Sequence, residues 1–132
     1  MEFQGPGAFQ NERALEWLGK LEATHDLVIF TQVFKPDPDG AFFDKDTGSE
    51  IYAAAEIVAA ATGRPAEDLP ARAKGWVEKH GNLDWQPLKE PARQLAHALL
   101  SPRSELHDLW DEQGDPYESW VTRIEDLVAR LE

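Results

Sequence analysis

Closely spaced aspartates form the first group in this chain that could do chemistry. Four of them lie within ten residues: Asp37, Asp39, Asp44 and Asp46. Oxygen-rich loops of this kind can hold Ca²⁺. The EF-hand spacing is not met, because Gly40 follows Asp37 too early and Gly48 takes the fifth position counted from Asp44. Asp is also common in turns and helix caps, so the pattern favours a structural loop, with a calcium site as the alternative.

A single carboxylate interrupts the most apolar stretch of the chain. Glu56 stands in IYAAAEIVAAAT, where every other residue except Thr62 is apolar. In a central helix this carboxylate would be at least partly buried, and it must then find hydrogen-bond donors or take up a proton. It is either a perturbed acid in a pocket or, as we expect, a core carboxylate tied to an arginine or to the backbone. Arg64 and Arg72 are the partners that the sequence offers.

A third group of carboxylates crowds the C-terminal part of the chain: Glu105, Asp108, Asp111, Glu112, Asp115 and Glu118. Several are three or four residues apart, where like charges on a helix repel each other. A solvated face explains the cluster most simply, and the alternative is that it awaits a cationic partner. A small basic ridge of Lys89, Arg93 and His97 is interpreted as a solvated face that balances neighbouring acids.

Motifs of known catalytic chemistry are missing. The chain has no HExxH, GxGxxG, Walker or GxSxG motif, and without cysteine it can form neither a disulfide nor a thiolate metal site. No two of its histidines share a metal-ligand spacing, so a zinc site would need ligands from separate helices. These are His25, His80, His97 and His107. We therefore predict no catalytic residue and no cofactor, and lean towards a non-enzymatic protein.

Composition indicates one acidic globular domain over residues 1–132. The hydrophobic fraction is 42% and the net charge is −12, so phosphate backbones and anionic lipids would be repelled. Residues 1–63 carry 11 acids and 4 bases, residues 64–100 carry 5 and 6, and residues 101–132 carry 9 and 3. We expect no nucleic-acid or membrane binding. Without a visible signal peptide or a sufficiently long apolar run, the expected location is the cytoplasm.

Two N-terminal helices must lead into the central one. The first starts after Asn11, an N-cap residue, and runs to about Ala23. Leu27–Phe34 has the β-branched and aromatic content typical of a strand. No partner strand is evident elsewhere in the sequence, and Asp26 can cap a helix, so we predict a helix there.

The best-marked element is a helix over about residues 49–62. It follows a long loop at Lys35–Gly48, in which Thr47 and Glu50 have the spacing of a capping box, and Gly63 marks its end. Apolar residues cover nearly all its sides, a pattern typical of a helix surrounded by others.

Further helices follow, each marked by a proline or a capping residue. Pro70 is placed in the first turn of a helix that ends near His80–Gly81, and another helix, whose start Pro91 leaves open, reaches Leu100. Ser101–Pro102 opens the next helix, and the capping box with a first-turn proline at Asp115–Glu118 opens the last. Trp85 stands in a loop and is expected to be partly exposed. Together the elements predict an all-α fold, an irregular orthogonal bundle of six to seven short helices around the Ala-rich one.

Three stretches carry a resemblance to a known family: GPGAFQNERALEWLGKLE, AAAEIVAAATGRPAEDLP and SELHDLWDEQGDPYESWVTRIEDLVARLE. They resemble the bacterial domain-of-unknown-function 4259 family, and the resemblance spans nearly the whole chain. The matching residues are Gly5, Gly7, Phe9, Asn11, Ala14, Trp17, Ala55, Glu56, Gly63 and Pro65. Gln10 and Glu12 replace aspartates typical of the family, which argues against an ion held there. The resemblance implies a small, acidic, helical bacterial protein and brings no established activity or catalytic residue.

Three functional hypotheses remain, in order of preference. The first is a non-enzymatic interaction domain that binds a basic protein, in the manner of immunity proteins or inhibitors. The second is a small-molecule or metal-binding helical domain that uses Glu56 or the Asp37–Asp46 loop, which requires an enclosed pocket beside one of them. The third is an acidic mimic of nucleic acid. The oligomeric state is left open.

Overall fold

The computed structural model describes residues 5–35 and 43–132, which fold into helices joined by short connections. The helices are α1 Glu12–Glu22, α2 Val28–Val33, α3 Lys45–Ala61, α4 Ala71–His80, α5 Gln86–Ala98, α6 Glu105–Glu112 and α7 Pro116–Arg130. The described residues contain no strand and one isolated bridge, between Phe43 and Ser104. The predicted all-α class and helix number are confirmed. None of the helices in the described part of the chain combines the length and hydrophobicity that a bilayer span requires.

Helix α3 is the centre of the bundle. Every residue from Ile51 to Ala59 is buried, and α3 packs against each of the other described helices. Its alanines occupy little volume, so neighbouring helices can approach its axis from several sides. The predicted central helix is confirmed, although it begins at Lys45 rather than near residue 49.

The start of α3 differs from the capping box predicted at Thr47 and Glu50. Asp44 is the N-cap, and its Oδ1 accepts a hydrogen bond from Thr47 N at 2.7 Å. Gly48, predicted to end the loop, lies inside the helix, where an added Cβ would come within 3.0 Å of Leu106. The helix therefore begins after Asp44, because the Asp44 side chain satisfies a backbone amide of the first turn. Gly48 has no side chain, which allows Leu106 of α6 to pack close to α3.

The two N-terminal helices form as expected. Asn11 caps α1 through an Oδ1 that accepts from Ala14 N at 2.8 Å, and the helix predicted within Leu27–Phe34 forms as α2, over Val28–Val33. Asp26 is not the N-cap residue, which is Leu27, but its Oδ1 accepts from Val28 N at 3.0 Å.

The later helix starts were placed less well. Ser101 does not open α6, because its hydroxyl donates back to Ala98 O at 2.7 Å at the end of α5. Ser104 caps α6 instead, accepting from His107 N at 3.3 Å. Pro116 takes the first position of α7, as predicted, but Asp115 makes no side-chain cap bond, so the capping box predicted there does not form.

Trp85 is a correction to the sequence analysis, because it is buried rather than partly exposed. It is 3% exposed, and its ring lies edge-on to Phe30 and Trp76 at centroid distances of 5.0 and 5.8 Å. Its Nε1 donates to His80 O at 2.9 Å. The connection before α5 therefore folds inward to complete an aromatic cluster between α2 and α4.

Candidate functional site: a charged cleft and an acidic helix junction

The Glu56 carboxylate lies inside the bundle and is paired with Arg130. Glu56 is 4% exposed, and its two oxygens accept hydrogen bonds from Nη1 and Nη2 of Arg130, each at 2.9 Å. Two parallel bonds of this kind are stronger and more directional than a single contact. The partner is thus neither Arg64 nor Arg72, and Arg72 pairs with Glu22 instead.

Arg130 also ties the ends of α3 and α7 together. Its Nη1 donates to Arg64 O at 3.1 Å, and its Nε donates to Asp126 Oδ2 at 2.7 Å. Arg64 Nη1 donates in return to Ala129 O at 3.1 Å. Because the Arg130 guanidinium donates to Glu56, Arg64 O and Asp126 together, it fastens the last helix to the central one.

Burial and pairing act in opposite directions on both charged groups. Burial raises the pKa of the Glu56 carboxyl above its ordinary value, and the hydrogen bonds from Arg130 hold this rise back. Burial acts to lower the pKa of Arg130, but Glu56 and Asp126 outweigh it and the net change is upward. The guanidinium stays charged, so Glu56 is the member of the pair that takes up a proton as the pH falls.

An open cleft lies over this ion pair. Its volume is about 470 Å³, and Glu56 and Arg130 are among its lining residues. The connection Pro65–Asp68 forms one side, and Arg123 and Asp126 of α7 form the other. A volume of this size lies within the range of small-molecule sites.

An ion pair between Arg123 and Asp68 borders both this cleft and a smaller cavity of about 140 Å³. Arg123 Nη1 donates to Asp68 Oδ2 at 2.9 Å, and the two side chains are 40% and 53% exposed. The smaller cavity is also lined by Gly7 and Gln10, and Gln10 Oε1 accepts from Gly7 N at 2.7 Å. Exposed pairs of this kind are weak, so a ligand could displace Asp68 and use the guanidinium donors of Arg123.

The chemistry of the cleft is that of charge recognition. Arg123 can donate to an anionic group, while Glu67 and Asp68 can accept from a cationic one. A carboxyl with a raised pKa beside a cleft is the pattern of a functional acid. Both oxygens of Glu56 are held by Arg130, however, so Glu56 would have to break that pair before it could act on a ligand.

The acidic cluster lies where α6 meets α7, and its members divide into two groups. Glu105 Oε1 accepts from Lys45 N at 2.6 Å, at the start of α3, and Asp108 Oδ1 lies 3.1 Å from His107 Nδ1. The other four are exposed and make no ion pair within the described residues. These junction carboxylates are Asp111, Glu112, Asp115 and Glu118.

The sequence around the junction explains why these carboxylates have no basic neighbour along the chain. No Lys or Arg occurs between Arg103 and Arg123. Some exposed acids elsewhere meet bases, as in the contacts of Glu90 with Arg93 and of Glu22 with Arg72. At the junction, four exposed carboxylates lie close together along the chain with no basic partner among the described residues.

The remaining candidate residues from the sequence belong to the basic ridge and to the acidic loop. On the basic ridge, Arg93 pairs with Glu90, and Lys89 Nζ donates to Glu132 O at 3.2 Å. In the acidic loop, Asp44 serves as the helix cap, while Asp37 and Asp39 lie outside the described residues. Among residues 5–35 and 43–132 no three His, Asp or Glu side chains are grouped to hold a metal, and the calcium site stays a prediction.

Sequence reasoning singled out Glu56 and the junction but missed Asp68, Arg123 and Arg130. Arg130 is 74 residues from Glu56, and Arg123 is 55 residues from Asp68. No local spacing signals contacts over such distances. The position of Arg130 in the last turn of α7, where a cation suits the helix dipole, explains the residue equally well without any partner.

Comparison with protein families identifies the family of this chain. A family model described as a domain of unknown function, DUF4259, matches residues 4–123. No curated protein and no solved structure matches the chain.

Proposed function

The chain belongs to the DUF4259 family of domains of unknown function, and we propose that it is an interaction domain that binds a basic protein. The proposal rests on its surface, since the family brings no known activity. The binding surface is formed by the junction carboxylates. We place this interaction in the cytoplasm, on the sequence alone.

The observation that carries the proposal is the contrast in pairing. Five of the six charged side chains that line the cleft are paired inside the fold, since Arg130 holds Glu56 and Asp126 while Arg123 holds Asp68. The junction carboxylates have no such partner within the described residues and lie exposed on adjoining ends of α6 and α7. Uncompensated charge of one sign steers an oppositely charged protein during encounter and favours it over other partners.

A salt titration of a recovered complex tests this proposal. The protein is used as bait in a low-salt lysate of the organism that encodes it, the captured protein is purified, and the affinity is measured by calorimetry. We expect a partner of net positive charge, bound at least tenfold more weakly at about 300 mM than at about 50 mM salt, because screening shortens the range of surface charges. A neutral or acidic partner, or an affinity that does not depend on salt, would contradict the proposal.

The cleft supports a second candidate function, the binding of a small charged molecule. Its volume of about 470 Å³ and the exposed Arg123–Asp68 pair favour it. A thermal-shift screen of amino acids, polyamines and dicarboxylates would compare the wild type with Arg123→Ala and with Arg93→Ala as a matched surface control. A ligand of the cleft should raise the melting temperature of the wild type and of Arg93→Ala but not of Arg123→Ala. If none of these compounds stabilises the wild type, this candidate is set aside.

A further inference from the structure

We propose that His25 and His80 form a binding site for a divalent transition-metal ion of the first row, such as Zn²⁺ or Cu²⁺. His25 follows α1, and His80 is the last residue of α4. Their nitrogens, His25 Nδ1 and His80 Nε2, lie 3.2 Å apart. The two rings are nearly parallel, with an interplanar angle of 20° and centroids 5.4 Å apart.

The distance between these nitrogens suits a shared metal ion. Metal–nitrogen bonds of about 2.0–2.1 Å place two ligand nitrogens about 3.3 Å apart at a tetrahedral angle and about 2.9 Å apart at a right angle. The observed 3.2 Å lies between these values. His25 is exposed, so its ring can turn by the small amount needed to aim Nδ1 at an ion.

The nitrogen of His80 that faces His25 is already free of a proton when the ring is neutral. His80 Nδ1 lies 2.8 Å from Trp76 O. Because a carbonyl only accepts, Nδ1 carries the proton and Nε2 carries the lone pair. Histidines that ligate metals usually donate their other N–H to a carbonyl or carboxylate in this way.

The step from the empty to the occupied pair balances without a net change in protons. In the absence of an ion, His25 Nδ1–H donates to His80 Nε2. When an ion takes the place of that hydrogen, the proton of His25 moves from Nδ1 to Nε2 through solvent. Both rings stay neutral, and each contributes one lone pair to the metal.

A single tryptophan packs on the ring of His80 and bonds the backbone next to His25. The Trp76 ring stacks on His80 with centroids 4.1 Å apart and an interplanar angle of 15°. Its Nε1 donates to Thr24 O at 3.1 Å, one residue before His25. Trp76 is 5% exposed, so this support is rigid. A metal site has a defined geometry only when packing and hydrogen bonds from surrounding residues hold its ligands in place.

Other groups must complete the coordination of the ion. Within the described ranges no third His, Asp or Glu forms a metal-sized group with the pair. Water, or a side chain of a bound partner, would occupy the open positions. The net charge of −12 raises the local concentration of cations, and imidazole selects transition metals over Mg²⁺ and Ca²⁺.

Calorimetric titration of the tag-free protein with ZnSO₄ and with CuCl₂ tests the site. The variants are His25→Ala, chosen because His25 is exposed, and His97→Ala and His107→Ala as matched controls. We expect one ion per chain in the wild type and both controls, and binding at least about tenfold weaker in His25→Ala. Unchanged affinity in His25→Ala, or an equal loss in all three variants, would overturn the proposal.

A second readout does not depend on a variant. Imidazole ¹⁵N resonances of the wild type are followed during addition of ZnSO₄. Selective shifts of His25 Nδ1 and His80 Nε2 would support the site. Shifts confined to His97 or His107 would place the ion elsewhere and refute the proposal. The absence of any shift would refute it as well.

Discussion

Two acidic regions of this molecule use the same functional group in opposite ways. In the cleft, Glu56 is buried and both its oxygens are bonded to Arg130. At the junction of α6 and α7, Asp111 and Glu112 are exposed and make no ion pair within the described residues. A buried carboxylate without a partner would be too unfavourable to keep, whereas an exposed one adds little to stability. The cleft thus contains a carboxylate that the fold uses, and the junction contains carboxylates that the fold leaves exposed.

The largest effect is expected from breaking the buried pair. Glu56→Gln replaces one acceptor oxygen with an NH₂ group that faces the donors of Arg130, whose side chain is 12% exposed. Asp126 still pairs with Arg130, but one buried donor loses its acceptor, so we expect the free energy of unfolding to fall by about 2 kcal/mol. Urea denaturation followed by circular dichroism measures this loss.

The control for this variant lies on the same last helix. Glu125→Gln neutralises an exposed carboxylate of α7 and should change stability by no more than about 0.5 kcal/mol. Equal effects of Glu56→Gln and Glu125→Gln would show that Glu56 is solvated, and the contrast between the two regions would then collapse.

A carboxylate that caps a helix should have a smaller effect. Asp44→Ala removes the acceptor for Thr47 N and should destabilise the protein by about 1 kcal/mol. Thr47→Ala removes the cap that the sequence suggested and should have less effect, because it keeps the backbone amide bond to Asp44 and loses only the smaller side-chain contribution of Thr47. A larger loss of stability in Thr47→Ala than in Asp44→Ala, measured by chemical denaturation, would instead support the capping box of Thr47 and Glu50.

Asp44 and Glu56 should respond to pH with opposite signs. Hydrogen bonds from Thr47 lower the pKa of Asp44. Its contribution is therefore full above the unfolded pKa of about 3.9 and is lost as the pH falls through the lower folded value. Burial raises the pKa of Glu56. Its contribution is full below the unfolded pKa of about 4.3 and is lost as the pH rises through the folded value.

Denaturation across pH separates these contributions. As the pH falls below about 4, the wild type should lose stability relative to Asp44→Asn. As the pH falls from neutral towards about 4, it should gain stability relative to Glu56→Gln. If both differences move in the same direction, one of the two assignments is wrong.

The smallest effect on stability is expected at the junction. The fourfold variant Asp111→Asn, Glu112→Gln, Asp115→Asn and Glu118→Gln removes charges that no base compensates within the described residues. Relief of repulsion offsets the loss of negative charge near the start of α7, so the unfolding free energy should change by less than about 1 kcal/mol. A larger loss in thermal and urea denaturation would mean that the junction is part of the fold.

Local signals in the sequence were sufficient for most of the helices. Asn11 marked α1, and the apolar run that only Glu56 interrupts marked the central helix. Capping was harder to read, because Asp44, Thr47, Ser101 and Ser104 are all chemically able to cap. The choice between them depends on tertiary contacts, such as Glu105 bonding Lys45 N at the start of α3.

The sites depend on contacts that no local pattern encodes. A buried acid could be expected at Glu56, but its partner Arg130 lies 74 residues away. His25 and His80 come together across 55 residues. Trp85 lies in a loop and was expected to be partly exposed. Its burial depends on contacts with Phe30 of α2 and Trp76 of α4, which are distant in the sequence.

The comparison of two variants with equal charge tests the central claim most directly. One is the junction variant, and the other is Glu12→Gln, Glu78→Gln, Asp84→Asn and Glu125→Gln, which neutralises four exposed carboxylates elsewhere. Affinity for the captured basic partner is measured for both by calorimetry at the same low salt. The account predicts at least tenfold weaker binding for the junction variant and a much smaller change for its counterpart. Equal weakening by both variants, or none by the junction variant, would contradict it.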